Sequence, residues 1–484
     1  MVKAVVGEET QLKLLEDRLI HSGLPSQVGL VIGKLNSDLD RGFVFDLIPT
    51  PPNDAGEPAC SLIEAARDDK NKGSKGKSQV GSSSLFIDKD WVAEHARQVS
   101  RMLLGGIKVV GIYVWTSESS FKNSTLTLCQ TVKGVAEAST LLKLDSDDRL
   151  LIHISYSPRR WICRNCSLAS NITSSSLRPC DFKLGRVLSS LQTFQCTYNF
   201  DLRLPVCCET GSNLRKPVDI LRHGISSHAK ELQSAKAIVD GNLVSEEDLY
   251  ASDGSHKVEF LLPFMKESFL ACGNKEIDGL VVFSGSVCSF AYLNSKEPLS
   301  QALLNIKEDI IMSLQSRLDI MSDESGDDLS GEIDESMEQH FLHLDLKSLR
   351  KQRSLSFPRR VFVPWLADSY ICDYLQSSET VEVLKEHCVE LMSMEAPTDA
   401  SLILEPEIVA PTLWANSFSE VAIPFSSSKS SPPIEKRNKE LVLDEESLKK
   451  HAKSADFSII AAVFVLFAAI IVGFFLFIKS SYTQ

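Results

Sequence analysis

The sequence predicts a mixed α+β fold (α/β mixed), with a body of two domains followed by a single C-terminal transmembrane helix. Short apolar runs bounded by glycine or proline, typical of buried strands, alternate with longer amphipathic stretches, typical of helices. The 484-residue chain is long enough for two or three domains. Its last apolar stretch, residues 457–478, is long enough to cross a bilayer.

The chain begins with the pattern of a helix followed by a hairpin. Residues 9–23 carry leucines at helical spacing and end in Gly23, a common helix terminator. The apolar runs at 28–33 and 43–48 are separated by a polar turn, and Pro49 ends the second run. We therefore expect a short amphipathic helix and then two antiparallel strands.

A long polar stretch separates this hairpin from the next helix. Residues 53–84 are rich in lysine, glycine and serine towards their end, which predicts a mobile insertion. Asp88 is the expected N-cap of a helix that ends at Gly105, because one apolar stripe runs between them. The apolar run at 107–115 predicts a third strand, and the first domain is expected to end at residue 148, giving residues 1–148.

The second domain is expected over residues 149–395 and is rich in strands. Residues 186–204 alternate between apolar and polar side chains, as in a strand with one buried face. The remaining elements predicted from apolar patterns are a strand from 150, a helix at 217–239, strands at 258–264 and 280–293, and a helix at 300–321.

Two polar segments interrupt or follow this domain. Residues 322–356 are expected to be a disordered acidic and basic insertion. Residues 322–338 are mainly acids and serines, and the mutual repulsion of the acids and the low apolar content keep such a segment unfolded. A further interpretation of residues 322–338 is that their serines are phosphorylated. A strand pair at 357–374 and a helix at 379–394 come next, and residues 396–456, rich in proline, serine and glutamate, predict a flexible tether.

Residues 457–478 contain 22 residues without a formal charge. As a helix they would be about 33 Å long, against a hydrocarbon core of roughly 30 Å. A buried core helix is the alternative, but such helices rarely run this long without a charge. The residues expected to lie within the bilayer include Phe457, Ile460, Val463, Leu466, Ile470, Gly473, Phe477 and Ile478.

The flanks of this segment predict its orientation. Lys449, Lys450 and Lys453 precede it, whereas Lys479 follows it, and basic residues favour the cytosolic side. The first residues lack an apolar run long enough for a signal peptide. We therefore expect the body to lie in the cytosol, with the lipid bilayer as a partner of the final helix alone.

The overall composition argues against nucleic acid as a partner, and the expected cytosolic location predicts the redox state of the cysteines. A net charge of −13 argues against a general nucleic-acid binder, which needs a basic surface. The twelve cysteines are expected to be reduced thiols in a cytosolic body. For the same reason the three Asn-x-Ser/Thr sites, at Asn123, Asn165 and Asn171, are expected to carry no glycan.

The order helix, hairpin, long loop, helix, strand resembles the Mov34/Pad1 N-terminal (MPN) domain, and residues 28–34 and 111–113 are similar to two of its motifs. Active members hold a catalytic zinc with two histidines and an aspartate, and a glutamate takes a proton from the bound water. This resemblance places the positions of those four residues at Gln27, Val114, Thr116 and Thr127, and keeps only the motif's serine, Ser124. It therefore implies an inactive domain with no catalytic residue, no metal and no cofactor.

Other candidate sites are weak on geometric grounds. Glu94 and His95 are adjacent on one helix, so their side chains diverge by about 100°, and a solvated or capping role is expected. The same argument applies to His387 and Cys388 as a nucleophile pair. The Cys-x-x-Cys motif at residues 163–166 lacks a second pair at zinc-knuckle spacing.

The sequence does not decide whether residues 113–115 are exposed or buried. Tyr113, Val114 and Trp115 end the most apolar strand of the first domain. They are either possible partner-contact residues or ordinary core residues.

Three stretches together resemble the odorant-response-abnormal-four family: residues 91–111, residues 360–364 with 372–374, and the final apolar segment. The resemblance implies a single-pass protein of the endoplasmic-reticulum membrane. It implies roles in folding and delivery of seven-helix receptors, and in holding a ubiquitin-fold-modifier-specific cysteine protease at that membrane. We therefore expect a non-enzymatic, tail-anchored adaptor in a UFMylation or protein-trafficking process.

Two alternatives remain at the level of the sequence. The first is a trafficking chaperone for seven-helix receptors that has no protease partner. The second is an MPN-type metalloprotease, which would require that the motif alignment above is wrong.

Overall fold

A computed structural model gives the structure of the protein for residues 2–36, 39–64, 83–140, 148–168, 177–207, 216–245, 254–263, 277–294, 297–327, 349, 354–395, 397 and 399–417. The chain divides into two units, Met1–Ile423 and Pro424–Gln484. The predicted membrane span, Phe457 to Ile478 included, lies outside the described residues. Within the described ranges, no helix has the length and apolar content needed to cross a bilayer.

The first part of the chain, up to Gly185, contributes strands to one closed barrel. Its elements are β1 (Ala4–Glu8), α1 (Glu9–Ser22), β2 (Gln27–Asn36), β3 (Arg41–Pro49), β4 (Cys60–Glu64), β5 (Ser83–Ile87), α2 (Lys89–Met102), β6 (Lys108–Trp115), α3 (Glu118–Asn123), α4 (Thr125–Ser139), β7 (Asp148–Tyr156), β8 (Arg159–Ser167) and β9 (Leu177–Gly185).

The barrel has the strand order β1-β3-β2-β6-β7-β8-β9 and closes because β9 pairs in parallel with β1. Strands β2 and β3 form the predicted antiparallel hairpin. Strands β6 and β7 run parallel, with α3 and α4 between them. β4 and β5 form a separate two-stranded sheet.

The local signals for α1 and α2 act as expected. Gly23 ends α1 with a left-handed backbone (φ 66°), which glycine adopts without a steric penalty. The Asp88 carboxylate accepts a hydrogen bond of 3.1 Å from the Trp91 backbone N–H and so caps α2. The predictions of both helices and of β6 are confirmed.

The second part of the chain builds a seven-stranded sheet and a small two-stranded sheet. Its elements are β10 (Leu191–Cys207), α5 (Pro217–Gln233), β11 (Lys236–Val239), β12 (Asn242–Leu243), β13 (Ser255–Leu261), β14 (Ile277–Asn294), α6 (Leu299–Asp327), β15 (Leu355–Ser356), β16 (Arg359–Pro364), β17 (Tyr370–Leu375), α7 (Val381–Met392) and β18 (Thr412–Ser417).

The large sheet has the order β12-β11-β13-β10-β14-β18-β15, and β16 pairs with β17 in the small one. One face of β10 is buried as its alternation predicts, and it contributes Phe194, Cys196 and Tyr198 to a core shared with α5 and α6. The apolar stripe of α6 covers the same core. Mixed α+β architecture is therefore confirmed, with strands dominating.

Strand β14 joins the two parts of the body, because its two faces belong to different cores. Ala291 faces the core of the large sheet, whereas Phe290 and Tyr292 face the core beneath the barrel helices. Gly105 pairs with Ala291, and a Cβ at Gly105 would lie 2.3 Å from the Tyr292 ring. The buried Lys34 ammonium donates a 2.7 Å hydrogen bond to the Tyr292 carbonyl at the same junction.

Four expectations differ from the structure. The barrel extends past the boundary expected at residue 148, since β7, β8 and β9 complete it. Part of the insertion expected at 53–84 is ordered as β4, while residues 65–82 lie outside the described ranges. The helix expected at 217–239 ends at Gln233, and the chain continues as β11.

The fourth difference concerns both polar segments of the second part. α6 continues to Asp327, so the acidic block expected to be disordered from 322 begins as helix, and 328–348 lie outside the described ranges. The tether expected at 396–456 is folded up to residue 417, because β18 pairs with β14 inside the large sheet. Burial of Leu413 and Ala415 on one face of β18 stabilises this strand.

Candidate functional site

The positions that the MPN comparison assigns to metal ligands do not form a cluster of ligating groups. Val114 is buried in the apolar core, and Gln27 lies on β2, where its Oε1 accepts a 3.3 Å hydrogen bond from the Tyr113 hydroxyl. The Thr116 hydroxyl is buried beside the end of β6. In the described part of the chain, no group of three or more His, Cys, Asp or Glu side chains is arranged to hold a metal ion.

The two remaining positions of that comparison lie on the barrel helices. Thr127 is in α4, and Ser124 lies directly before it. The Ser124 hydroxyl accepts a 2.6 Å hydrogen bond from the Leu85 backbone N–H, so it ties β5 to the helices. The Ser124 side chain therefore serves the fold, and the MPN-like character of this half stays a prediction.

The possible contact residues Tyr113, Val114 and Trp115 are core residues. All three are buried, with Tyr113 and Trp115 on one face of β6 and Val114 on the other. The Trp115 indole N–H donates to the Leu24 carbonyl at 3.1 Å. Because the strand is covered on both faces, the structure decides the open alternative in favour of ordinary core residues.

The first adjacent acid–histidine pair is structural. Glu94 binds Arg97 on its own helix at 2.7 Å. His95 is buried, not solvated as expected, and its Nε2 is 2.9 Å from the Leu391 carbonyl. Burial lowers the pKa of His95, so the neutral ring ties α2 to α7.

His387 and Cys388 also diverge. The His387 Nδ1 lies 2.8 Å from an Asp373 carboxylate oxygen, and this hydrogen bond raises the pKa of His387. Cys388 faces the core instead, where burial raises its pKa to about 12. A buried thiol that holds its proton is a poor nucleophile, which agrees with the sequence argument against a catalytic cysteine here.

The feature that sequence reasoning missed is residues 399–417, which we term the clamped segment. It follows α7, runs antiparallel beside β16 and enters the large sheet as β18. Leu404 and Phe362 exchange two backbone hydrogen bonds of 2.9 Å. Gly285 admits the segment to the sheet, since a Cβ there would lie 2.9 Å from the Pro411 Cα.

Glu407 fixes the middle of the clamped segment through buried charge. Its carboxylate accepts from the guanidinium of Arg317 on α6, from the Arg360 backbone N–H at 2.8 Å and from the Cys288 backbone N–H at 3.2 Å. Glu407 is 1% exposed and Arg317 is fully buried. Three elements, α6, β14 and β16, are thus held by one side chain.

A second buried ion pair completes this cluster. The Arg360 guanidinium makes two hydrogen bonds of 2.8 Å to the Asp309 carboxylate, and it donates to the Cys288 carbonyl at 3.2 Å. Arg317 lies over the Tyr374 ring, with its Cζ 5.3 Å from the ring centroid. Buried charges paired in this way fix a single geometry, because an alternative arrangement would leave a charge without a partner.

The clamped segment presents apolar side chains to solvent directly beside these buried charges. Ile408 is 87% exposed and Val409 is 71% exposed. Leu402 and Leu404 add to the exposed apolar surface. Pro406 and Pro411 flank the pair and restrict the backbone. The arrangement offers a rigid apolar contact, and it contains no nucleophile or acid–base pair.

The sequence held a weak signal for this segment. The alternation that buries Leu413 and Ala415 is typical of a strand, but only six residues carry it. The prolines and glutamates before it are typical of a linker, and they outweighed the strand pattern. That Glu407 would meet Arg317, 90 residues earlier, depends on tertiary structure alone.

Comparison with known proteins gives a family match over most of this body. The family model described as odorant response abnormal 4-like matches residues 29–403. The mouse protein odr-4 homolog is 25% identical over 421 residues, covering 82% of this chain and 84% of the mouse protein. The homolog from Dictyostelium discoideum is 25% identical over 379 residues, covering 77% of this chain and 76% of its own.

Among solved structures, one described as the crystal structure of UfSP from C. elegans is similar to this chain. It aligns with 82% of this chain and 57% of its own, at 8% identity and a TM-score of 0.37. This chain therefore spans somewhat more than half the length of that protein.

Proposed function

Because this chain belongs to the odorant response abnormal 4-like family, we propose that it is a non-enzymatic adaptor held at the endoplasmic-reticulum membrane. The observation that supports an adaptor best is the clamped segment. It holds Ile408 and Val409 in solvent on a backbone fixed by buried ion pairs. A rigid exposed apolar contact is typical of a binding surface, because a preorganised surface loses less entropy on association.

The proposed occupant of this surface is a ubiquitin-fold-modifier-specific cysteine protease. The identity of the partner rests on the resemblance of the sequence to its family. The adaptor would localise the protease by binding it beside the last described strand, from which the chain continues towards the predicted span. The finer role in folding and trafficking of seven-helix receptors rests on the same resemblance.

The membrane position is part of this proposal. The uncharged residues 457–478 support a single-pass anchor, and the lysines before them support a cytosolic body. Asn165, the middle one of the three Asn-x-Ser/Thr sites, supports the same orientation. Its side chain is 1% exposed and donates a 3.1 Å hydrogen bond to the Val2 carbonyl, so a glycan there is incompatible with the barrel wall.

Fractionation of cells that express the full chain with the protease tests the adaptor. We expect the protease in the membrane fraction with the intact chain, and both proteins in the soluble fraction once residues 456–484 are deleted. Replacing Ile408 and Val409 by aspartate should release the protease while the chain stays in the membrane. Leu243→Asp is the matched control, since Leu243 is 63% exposed at the far edge of the same sheet.

Two results would contradict the proposal. If the Ile408/Val409 variant retains the protease as well as Leu243→Asp does, the clamped segment is not the contact. If glycosidase treatment of the membrane-bound chain shifts its mobility, the body has entered the lumen and the proposed orientation fails.

A further inference from the structure

The Cys-x-x-Cys motif lies in β8, and its two thiols point to opposite faces of the barrel wall. Side chains in a strand alternate with a period of two, so residues three positions apart face opposite sides. Cys163 accordingly belongs to the core that includes Val2 and Leu12, and Cys166 to the core that includes Phe121. The two thiols of the motif therefore do not share a ligand or pair with each other.

Each thiol of the motif meets a different cysteine. Cys163 lies directly opposite Cys180 of β9 in an antiparallel register, and both side chains belong to the same core. The side chains are 3% and 8% exposed. On the other face, Cys166 lies beside Cys129 of α4, whose pKa it lowers.

The spacing of the β8–β9 pair suits a disulfide. Directly opposed residues of antiparallel strands have Cα atoms about 4.5 or 5.5 Å apart. Disulfides form at Cα separations of about 4.4–6.8 Å, so the directly opposed register of Cys163 and Cys180 lies within the range of Cα separations for this bond. Cys163 and Cys180 are both free thiols, so both members of this pair are available.

Cys180 is the thiol of this pair that suits attack on an oxidant. The neighbouring Cys163 thiol lowers the pKa of Cys180, because it favours the thiolate. Its neighbours along β9, Pro179 and Asp181, are exposed, so the strand lies at the surface of the barrel. Cys180 itself is 8% exposed, against 3% for Cys163, so its sulfur is the more accessible of the two to a small oxidant.

We propose that Cys163 and Cys180 form a peroxide-sensitive dithiol that is converted to a cross-strand disulfide between β8 and β9. The Cys180 thiolate attacks one oxygen of hydrogen peroxide, the O–O bond breaks, and a sulfenic acid and hydroxide form. The Cys163 sulfur then attacks the sulfenic sulfur, and the S–OH group leaves with the thiol proton as water. The hydroxide takes up the proton lost by Cys180, so two thiols and one peroxide give one disulfide and two waters.

The position of this bond gives it a structural consequence. β9 is the strand that closes the barrel, since it pairs with β8 on one side and with β1 on the other. Oxidation would fix one side of this closure covalently. The inference does not depend on the adaptor proposal, because it uses only the two strands and their thiols.

Peptide mapping of the oxidised full chain tests the proposal. The purified protein is treated with hydrogen peroxide, free thiols are alkylated, and the digest is analysed by mass spectrometry without reduction. We expect a peptide pair joined through Cys163 and Cys180, lighter by about 2 Da than the two reduced peptides. Cys166→Ser should keep this linkage, since Cys166 lies on the other face, whereas Cys180→Ser should leave Cys163 alkylated.

The wild-type digest alone can overturn the inference. A linkage between Cys163 and Cys166 would show that the thiols of the motif converge. Cys60 is the reference thiol, because it is buried and is a free thiol. If Cys163 and Cys180 stay reduced to the same extent as Cys60, or if Cys180 stops at a sulfinic acid, the pair is not the proposed dithiol.

Discussion

The side chain of Glu407 is the sharpest single test of how the clamped segment is held. We consider Glu407→Gln, which keeps the shape of the side chain but removes its charge. The native carboxylate faces three donors, from Arg317, Arg360 and Cys288. An amide offers one oxygen and one NH₂ group, so in either orientation its NH₂ group faces a donor.

The cost follows from the burial of the pair. Arg317 is fully buried, so Glu407→Gln leaves its charge without a counterion in a site that water does not reach. Breaking a buried ion pair from one side typically costs about 3–5 kcal/mol. The matched control is Glu405→Gln, two residues away, where Glu405 is 45% exposed and binds Arg359 at 3.2 Å. An exposed pair of this kind contributes about 0–1 kcal/mol.

Urea unfolding of the purified full chain, followed by tryptophan fluorescence, measures both values. One of the five tryptophans of the chain, Trp414, lies in β18 within the clamped segment. We expect Glu407→Gln to lower the free energy of unfolding by about 3–5 kcal/mol relative to Glu405→Gln. A difference below about 1 kcal/mol would refute the reasoning, since it would mean that the cluster does not hold the segment.

Three further predictions concern other parts of the body. Burial raises the pKa of Asp46 to about 6, so the stabilisation from protonating this carboxyl group is complete below about pH 4 and is lost as the pH rises through about 6. Asp46→Asn should therefore raise the thermal midpoint at pH 7 and not at pH 3.5. Gly105→Ala should destabilise the chain by about 2 kcal/mol more than Gly56→Ala in urea unfolding, because both have positive φ but only the Cβ at Gly105 meets a ring; equal losses would contradict this. The Asp373 carboxylate raises the pKa of His387, so this stabilisation is present at low pH and lost as pH rises through the folded pKa; His387→Gln should lower the thermal midpoint more at pH 6 than at pH 9, and a pH-independent loss would argue against the ion pair.

Much of the architecture follows from local sequence signals. Caps and terminators set both early helices, since Asp88 and Gly23 act on their immediate neighbours. Period-two alternation identified β10 because one face of that strand is buried along most of its length. These signals are reliable where a residue's partners lie within a few positions of it in the chain.

The errors, and the alternatives that the sequence leaves open, arise where tertiary contacts decide the outcome. Nothing local to β6 states that Tyr113, Val114 and Trp115 are covered on both faces, because the covering elements come from distant parts of the chain. The segment before β18 has the composition of a linker. It is folded because Arg317 binds Glu407 and because the strand that follows pairs with β14. Composition describes what a segment prefers in isolation, and here packing outweighs that preference.

The two-faced strand β14 limits how this protein can be divided for study. A fragment that stops before residue 277 would lack Phe290 and Tyr292, and the apolar surface of the barrel helices that these rings cover would be exposed to solvent. The complementary fragment would expose those same rings. We therefore expect halves expressed separately to aggregate or to recombine when mixed, so biochemical dissection is better done by point substitution than by truncation within the body.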